Sequence, residues 1–174
     1  MTTYHVVTEA SEDDGREVFG VYDAVFGDQP DQTAWRTGVW DRHAAREGFR
    51  LARAHDGARL VGFAYGYTGR RGQWWTEQAV TVLGPDVAQE WLGGHFELVS
   101  LGVLPVARRR GIARGLMHLL LREVPHDRML LMTTADEADP ARRLYAAHGW
   151  TVLGAGISPA TVVLGKLNPA AGGP

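Results

Sequence analysis

The stretch that most constrains this chain runs from Phe96 to Val124. Phe96 to Val103 reads as a strand closed by Pro105, and ARRRGIARGL follows from Ala107 to Leu116. From Gly111 to Val124 the spacing predicts a helix. Ile112, Leu116, Leu119 and Leu120 mark one face, and Met117, Leu121 and Val124 widen it. So broad an apolar stripe suits packing on a sheet, so the chain should be mixed α/β. A loop between a strand and a helix can aim several free backbone N–H groups at one point, where the helix dipole favours an anion. Gly111 lets such a ligand approach closely because it has no side chain, and Ala113 is small. The same stretch also reads as a solvated basic loop, since arginine runs are common. GxxxxGK[ST] and a GxGxxG after a strand are both absent, which disfavours a P-loop nucleotide site and a dinucleotide site.

The other segments supply further strands and helices. Tyr4 to Thr8 reads as a strand, Gly15 to Phe26 as a helix, and Thr33 to Glu47 as a second helix carrying Trp35, Val39 and Trp40. Phe49 to Ala54 and Leu60 to Thr68 alternate around Asp56-Gly57, which predicts a β-hairpin. GRRGQ is a loop, and WWTEQAVTVLGPDVAQEWLGG is helix-like but broken at Gly84-Pro85. Arg128 to Thr134 is a strand. Asp139 then caps a helix with Pro140 at its first position, and Gly149 stops it after His148. Trp150 to Leu153 and Thr161 to Leu167 close the pattern. Residues 1–168 read as one domain and 169–174 as a flexible tail.

Composition excludes several kinds of protein. The net charge is -2, and the first 31 residues hold eight acids against one arginine. That weighs against a nucleic-acid-binding protein, which needs a clear positive excess. There are no cysteines, so thiol nucleophiles and zinc sites built on thiolates are excluded; no metal is expected. MTTYHVVTEA lacks a basic region followed by an apolar run. No apolar stretch approaches the ~20 residues that cross a bilayer, and a cytoplasmic protein without membrane contact is expected.

A second motif is ARRLYAAHGW, Ala141 to Trp150, a capped helix with a tyrosine inside that ends in Gly-aromatic. Tyr145 could donate a proton to a leaving group or could be a core aromatic with its hydroxyl satisfied. Taken together, LVSLGVLPVARRRGIARGLM and DPARRLYAAHGW resemble the GNAT superfamily of N-acetyltransferases. Arg108-Arg109-Arg110-Gly111-Ile112-Ala113 matches the family's [QR]xxGx[GA] loop, and Val103-Leu104-Pro105 matches the strand end before it. Ala141 to Trp150 matches AxxLYxxxGF with tryptophan for phenylalanine. These motifs cover about a third of the chain.

The resemblance implies a mixed, α+β-type fold. Its central sheet has six to seven mostly antiparallel strands, splayed in the middle, with helices on both faces. It implies acetyl-CoA as co-substrate and direct transfer of acetyl to a primary amine in a ternary complex. Leu101, Gly102 and Val103 would pair with the pantetheine arm. Amides from Arg108 to Ala113, with Arg114, would hold the pyrophosphate. Ala141 and Tyr145 would lie near the thioester, Tyr145 as acid. Glu97, a carboxylate on a strand face otherwise made by Val99, Leu101 and Val103, would be the base, with His95 a second candidate. Many family members have asparagine where this chain has Ala138; Thr134 or Asp139 would then supply the missing contact.

In the family the acceptor pocket is built from the first helices, the loop between them and the segment before the central strand. Those parts carry Trp35, Trp40, Tyr65, Tyr67, Trp74 and Trp75 beside Asp28, Asp31, Asp41 and Glu77. Aromatics beside carboxylates suit a cationic amine, whether a small molecule or a peptide. Trp40, Trp74, Trp75 and Glu77 are the candidates singled out. Trp74 and Trp75, adjacent in a helix, cannot both face one core. An alternative to the enzyme is a non-catalytic acyl-CoA-binding sensor or scaffold. The family often forms homodimers, but no exposed stripe in this sequence demands one.

Overall fold

The computed structural model describes residues 1–169. The tail expected from residue 169 onward therefore lies, beyond Pro169, outside the described residues. Seven strands, β1 (Thr2–Val7), β2 (Arg50–Asp56), β3 (Arg59–Gly69), β4 (His95–Val103), β5 (Arg128–Thr134), β6 (Thr151–Ala155) and β7 (Thr161–Leu167), take the order β1-β2-β3-β4-β5-β7-β6, and only β4–β5 among the registered pairs is parallel. The chain divides into two compact units. The first comprises Met1–Tyr67 and Leu98–Arg122, the second Thr68–Glu97 and everything from Glu123 onward. No helix among the described residues is long and apolar enough to cross a membrane.

In the first unit β1 (Thr2–Val7) pairs with β2 (Arg50–Asp56), from Thr2↔Asp56 to Val7↔Leu51. β2 and β3 (Arg59–Gly69) form the expected hairpin. It turns through Gly57 at φ 61 and is bulged between Ala54 and His55. α1 (Glu12–Val25) starts earlier than its apolar spacing suggests, because Ser11 and Asp14 form a capping box. The Ser11 hydroxyl accepts from Asp14 N–H at 3.1 Å, and the Asp14 carboxylate accepts from Ser11 N–H at 2.8 Å. The same carboxylate is ion-paired with Arg53 of β2, which ties the start of α1 to the sheet.

The expected helix from Thr33 to Glu47 is three pieces: α2 (Gln32–Trp35), a π-helical turn (Arg36–Trp40) and α3 (Asp41–Ala44). The reason lies in the two tryptophans. Five residues apart in an α-helix, their side chains would diverge by about 140°. The wider i→i+5 turn brings them to one side. Trp35 and Trp40 then stack at 5.0 Å, and Trp40 meets Phe49 at 5.8 Å and Tyr65 at 5.4 Å edge-on. α6 (Ile112–Leu121) lies against β1 and β2 and buries Ile112, Leu116, Met117 and Leu120. It stops short of Val124. Arg122 is extended, Glu123 is left-handed at φ 64, and Pro125 disfavours helix at Val124.

In the second unit the 74–92 segment forms α4 (Trp74–Leu83) and α5 (Pro85–Trp91), broken at Gly84 with φ 80. β4 (His95–Val103) opens here and pairs in parallel with β5 (Arg128–Thr134) at Phe96↔Met129 and Glu97↔Leu130. β7 (Thr161–Leu167) runs antiparallel along β5, and β6 (Thr151–Ala155) borders β7. α4 and α5 cover Leu130 and Val163 with Ala79, Ala88 and Leu92.

One histidine is buried within these cores and a second is half-buried. His95 is 1% exposed; its Nδ1 accepts from Gly93 N–H at 3.2 Å, and its Nε2 edge packs on Gly69. Burial, and secondarily the charge of His126, lowers its pKa to about 4. In the first unit His43 Nδ1 lies 3.1 Å from the Tyr65 hydroxyl. Burial, then Arg46 and Arg42, lowers its pKa to about 4 as well. Below pH 6.5 the unfolded chain takes up protons that these rings refuse, so stability falls as pH drops from about 6.5 towards 4. Thermal melts across that range should show the decline. Ring resonances of His43 and His95 should remain those of neutral imidazole at pH 5. A His95 ring that titrates near its ordinary value would contradict the assignment.

Gly15 provides a second check. It lies within α1, where alanine would ordinarily stabilise by about 1 kcal/mol. A Cβ there would stand 2.8 Å from Nε1 of Trp40, which is 2% exposed and cannot retreat. Gly15→Ala should therefore lower the denaturant midpoint despite its better helix propensity.

Candidate functional site

Each residue singled out in the sequence belongs to one of the two units. In the first, β4 ends where Leu104 N–H donates to Val61 O at 2.9 Å, and Pro105–Ala107 then turns as a short 3-10 helix. Arg109 has φ 65 and Gly111 φ 76, so the backbone twists twice through the left-handed region before α6 begins. Such a conformation is natural for glycine and uncommon for arginine. Gly111 is the N-cap and has no side chain to cap with. The N–H groups of Ile112, Ala113 and Arg114 therefore have no intrahelical acceptor. The geometry is a concave loop with donors at a helix N-terminus, the arrangement that holds phosphate.

The arginines of this loop have different destinations. Arg110 donates to Asp56 at 2.9 Å and to Thr2 Oγ1 at 3.3 Å, so its charge is committed to the hairpin end and β1. Arg110 also holds the Asp56 carboxyl below its usual range. Arg108 folds back to donate to Val103 O at 3.3 Å. Leu101 is half-buried, whereas Gly102 and Val103 are buried. The expected pyrophosphate donors are thus held by backbone geometry more than by free arginine side chains.

In the second unit, α7 (Pro140–Ala147) is capped by Asp139, whose carboxylate accepts from Ala141 N–H at 2.7 Å. Asp139 is committed there, and Thr134 Oγ1 accepts from Asp136 N–H at 3.2 Å. Tyr145 is 6% exposed and meets Trp150 edge-on at 6.0 Å. Burial, with a smaller contribution from the charge of Asp139, pushes its phenol up to about 12. Glu97 is 4% exposed on β4, two residues from His95 and on the same face of the strand. The turn after α7 is closed by Trp150 N–H donating to Tyr145 O at 3.1 Å.

The acceptor candidates are dispersed. Trp40, expected at the acceptor, is instead built into the stack with Trp35, Phe49 and Tyr65. Trp75 packs on the α4–α5 core and lies 6.0 Å from His95, while Trp74 is 67% exposed, so the two do face different ways. Glu77 takes Arg71 in both oxygens at 2.8 and 3.0 Å and Gly72 N–H at 2.7 Å. Arg71 first, then Gly72, lowers its pKa to about 2. Its charge thus braces the loop before α4. Periodicity gives no reason to single out Arg142, yet it is 9% exposed on the buried face of α7 beside Tyr145.

Comparison with known proteins agrees with the motifs. The model of the acetyltransferase (GNAT) family matches residues 16–150. A GCN5-like protein acetyltransferase of Mycobacterium tuberculosis is 38% identical over 124 residues, 64% of this chain and 60% of that protein. The chain thus spans less than two thirds of that relative's length. An acetyltransferase from Thermus thermophilus has the same fold, with a TM-score of 0.68, 14% identity and coverage of 95% of this chain and 97% of that one. The ribosomal-protein-S18-alanine N-acetyltransferase of Escherichia coli has a TM-score of 0.62 at 12% identity, covering 96% and 94%. At such identities the likeness concerns the fold. The family match takes in the loop at Arg108–Ala113 and the whole Ala141–Trp150 motif, so the chain belongs to the GNAT acetyltransferase family.

Proposed function

We propose that this protein transfers the acetyl group of acetyl-CoA to a primary amine. The observation that carries the reading is the uncapped start of α6 behind the left-handed Arg109 and Gly111. Backbone donors there suit a pyrophosphate, and family membership supplies the donor that carries one. Leu101, Gly102 and Val103 would hold the pantetheine arm in strand fashion. Ala141, Thr134 and Arg114 are further proposed contacts. Trp74, Trp75 and Glu77 remain the proposed side of a peptide or small-molecule acceptor, whereas Trp40 serves the fold.

The chemistry assigned to the chain is proton handling. The acceptor arrives as an ammonium and must lose a proton before nitrogen can attack the thioester carbonyl. Glu97 takes that proton, directly or through water. Attack forms the C–N bond and leaves a positively charged nitrogen; as the adduct collapses the C–S bond breaks, Tyr145 donates its proton to the departing sulfur, and the nitrogen's second proton leaves through water and restores the Tyr145 phenol. A phenol raised to about 12 stays protonated through neutral pH, the state a general acid needs. The reading concerns a site in the cytoplasm, without metal or nucleic acid.

The donor reading is tested by the melting temperature with acetyl-CoA. A ligand at 100 times its Kd that binds only the folded protein adds about 2.7 kcal/mol. Ala113→Glu is the control. A carboxylate in the first turn favours the helix dipole but repels a phosphate, so the variant should fold normally and lose the shift. No shift in the parent protein would overturn the donor assignment. A shift without turnover over a broad amine panel would favour a non-catalytic acyl-CoA sensor.

Tyr145→Phe should lower kcat by about 10²-fold while leaving the acetyl-CoA shift in place. In the parent, the raised phenol keeps its proton until well above pH 10. The rate should therefore show no alkaline loss from this group below pH 10. Full turnover by Tyr145→Phe across the pH range would remove Tyr145 as the acid.

A further inference from the structure

Arg142 is the odd member of α7. It lies three residues before Tyr145, on the same buried face of the helix, and is 9% exposed. Its Nε is buried without a hydrogen-bond partner among the described residues. The carboxylate nearest to pairing, Glu137, stands 4.0 Å from Nη2, and its side chain is 90% exposed. Asp139 is occupied by the helix cap. The neighbouring Arg143 shows what a satisfied arginine does here: it turns outward and donates to Ala138 O. A buried guanidinium cannot shed its charge, and buried charges are ordinarily paired. Burying one whose Nε has no partner and whose nearest anion is the exposed Glu137 at 4.0 Å costs the free protein stability, which suggests that a closer partner arrives with a substrate.

We propose that Arg142 recognises a carboxylate on a substrate, carried either by the acyl group of the donor or by the acceptor. The inference rests on the reading of Tyr145 as the residue at the thioester, because Arg142 shares its face of α7. A guanidinium fork matches a carboxylate in two parallel hydrogen bonds, which an uncharged group of the same shape cannot supply. Arg142 would thus bias the enzyme towards a dicarboxylic acyl donor, or towards an amine that bears its own carboxylate.

The two sources separate in a pair of kinetic comparisons. With one amine, succinyl-CoA is set against butyryl-CoA, which matches it in chain length without the charge. With acetyl-CoA, amino acids are set against their amides. The parent should prefer the carboxylate form at least ten-fold in kcat/KM in one comparison. Arg142→Met should abolish that preference by bringing kcat/KM for the carboxylate form down to that of its uncharged analogue, and Arg142→Lys should retain part of it. Without ligand, Arg142→Met should melt above the parent, since a buried charge replaced by an apolar side chain of similar length is often stabilising. A lower melting temperature for Arg142→Met would make Arg142 a fold residue and overturn the proposal. So would the absence of a preference in both comparisons. Equal weakening of plain coenzyme A binding would assign the missing anion to the donor's phosphates instead, and would also overturn it. Failure of the parent to bind acetyl-CoA would sink the donor reading, whereas a lowered Arg142→Met melt with donor binding intact would sink only this inference.

Discussion

The backbone hydrogen bond from Leu104 N–H to Val61 O, and the proline that follows, set the geometry of the loop. Pro105 has no N–H, so the ladder cannot continue past this point. The chain must leave the sheet, and it does so through a tight 3-10 turn that buries Ala107. Reaching the start of α6 then requires left-handed backbone at Arg109 and Gly111. Glycine at the N-cap removes the side chain that would otherwise consume the first-turn donors. The uncapped donors proposed to meet an anion are therefore what remains when a strand is stopped by proline and a helix begins without a cap.

The features legible in the sequence were those dictated by local chemistry. Asp139-Pro140 starts α7 and Gly84-Pro85 separates α4 from α5, because proline and a capping carboxylate act within a few residues of themselves. The loop motif and the helix that follows it were legible for the same reason. What escaped the reading is decided at long range. The π-turn exists so that Trp35 and Trp40 can stack, and nothing in the run from Thr33 to Glu47 announces it. Arg110 looks like a free rim charge in ARRRGIARGL, yet its partner Asp56 is 54 residues away. Trp40 looked like an aromatic for a cationic amine, and its surroundings show a core residue. Composition names a side chain's chemistry but not its neighbours.

Burial works differently on the two ends of the chemistry. At α6 the backbone donors stay available because Gly111 has no side chain to cap them, while the Arg110 and Arg108 side chains are tied to Asp56, Thr2 and Val103. The loop then presents fixed dipoles, which need no rearrangement when charge arrives. At α7 the side chains themselves are enclosed. Tyr145 accepts enclosure easily, because a neutral phenol is the form burial favours, and this keeps it protonated through neutral pH.

Arg142 has no such recourse. A guanidinium has donors and no acceptor, so enclosing it on the same face as Tyr145 is relieved best by an opposite charge. Glu137, nearly all in water and 4.0 Å away, relieves little of it. Eight residues of helix thus hold two groups that respond oppositely to one environment. One keeps its neutral form in a dry surrounding, and the other has only the exposed Glu137 near it. If stability alone had shaped α7, an apolar residue would serve better at 142. An arginine there makes sense where the stability it gives up returns as discrimination between a charged substrate and its uncharged analogue.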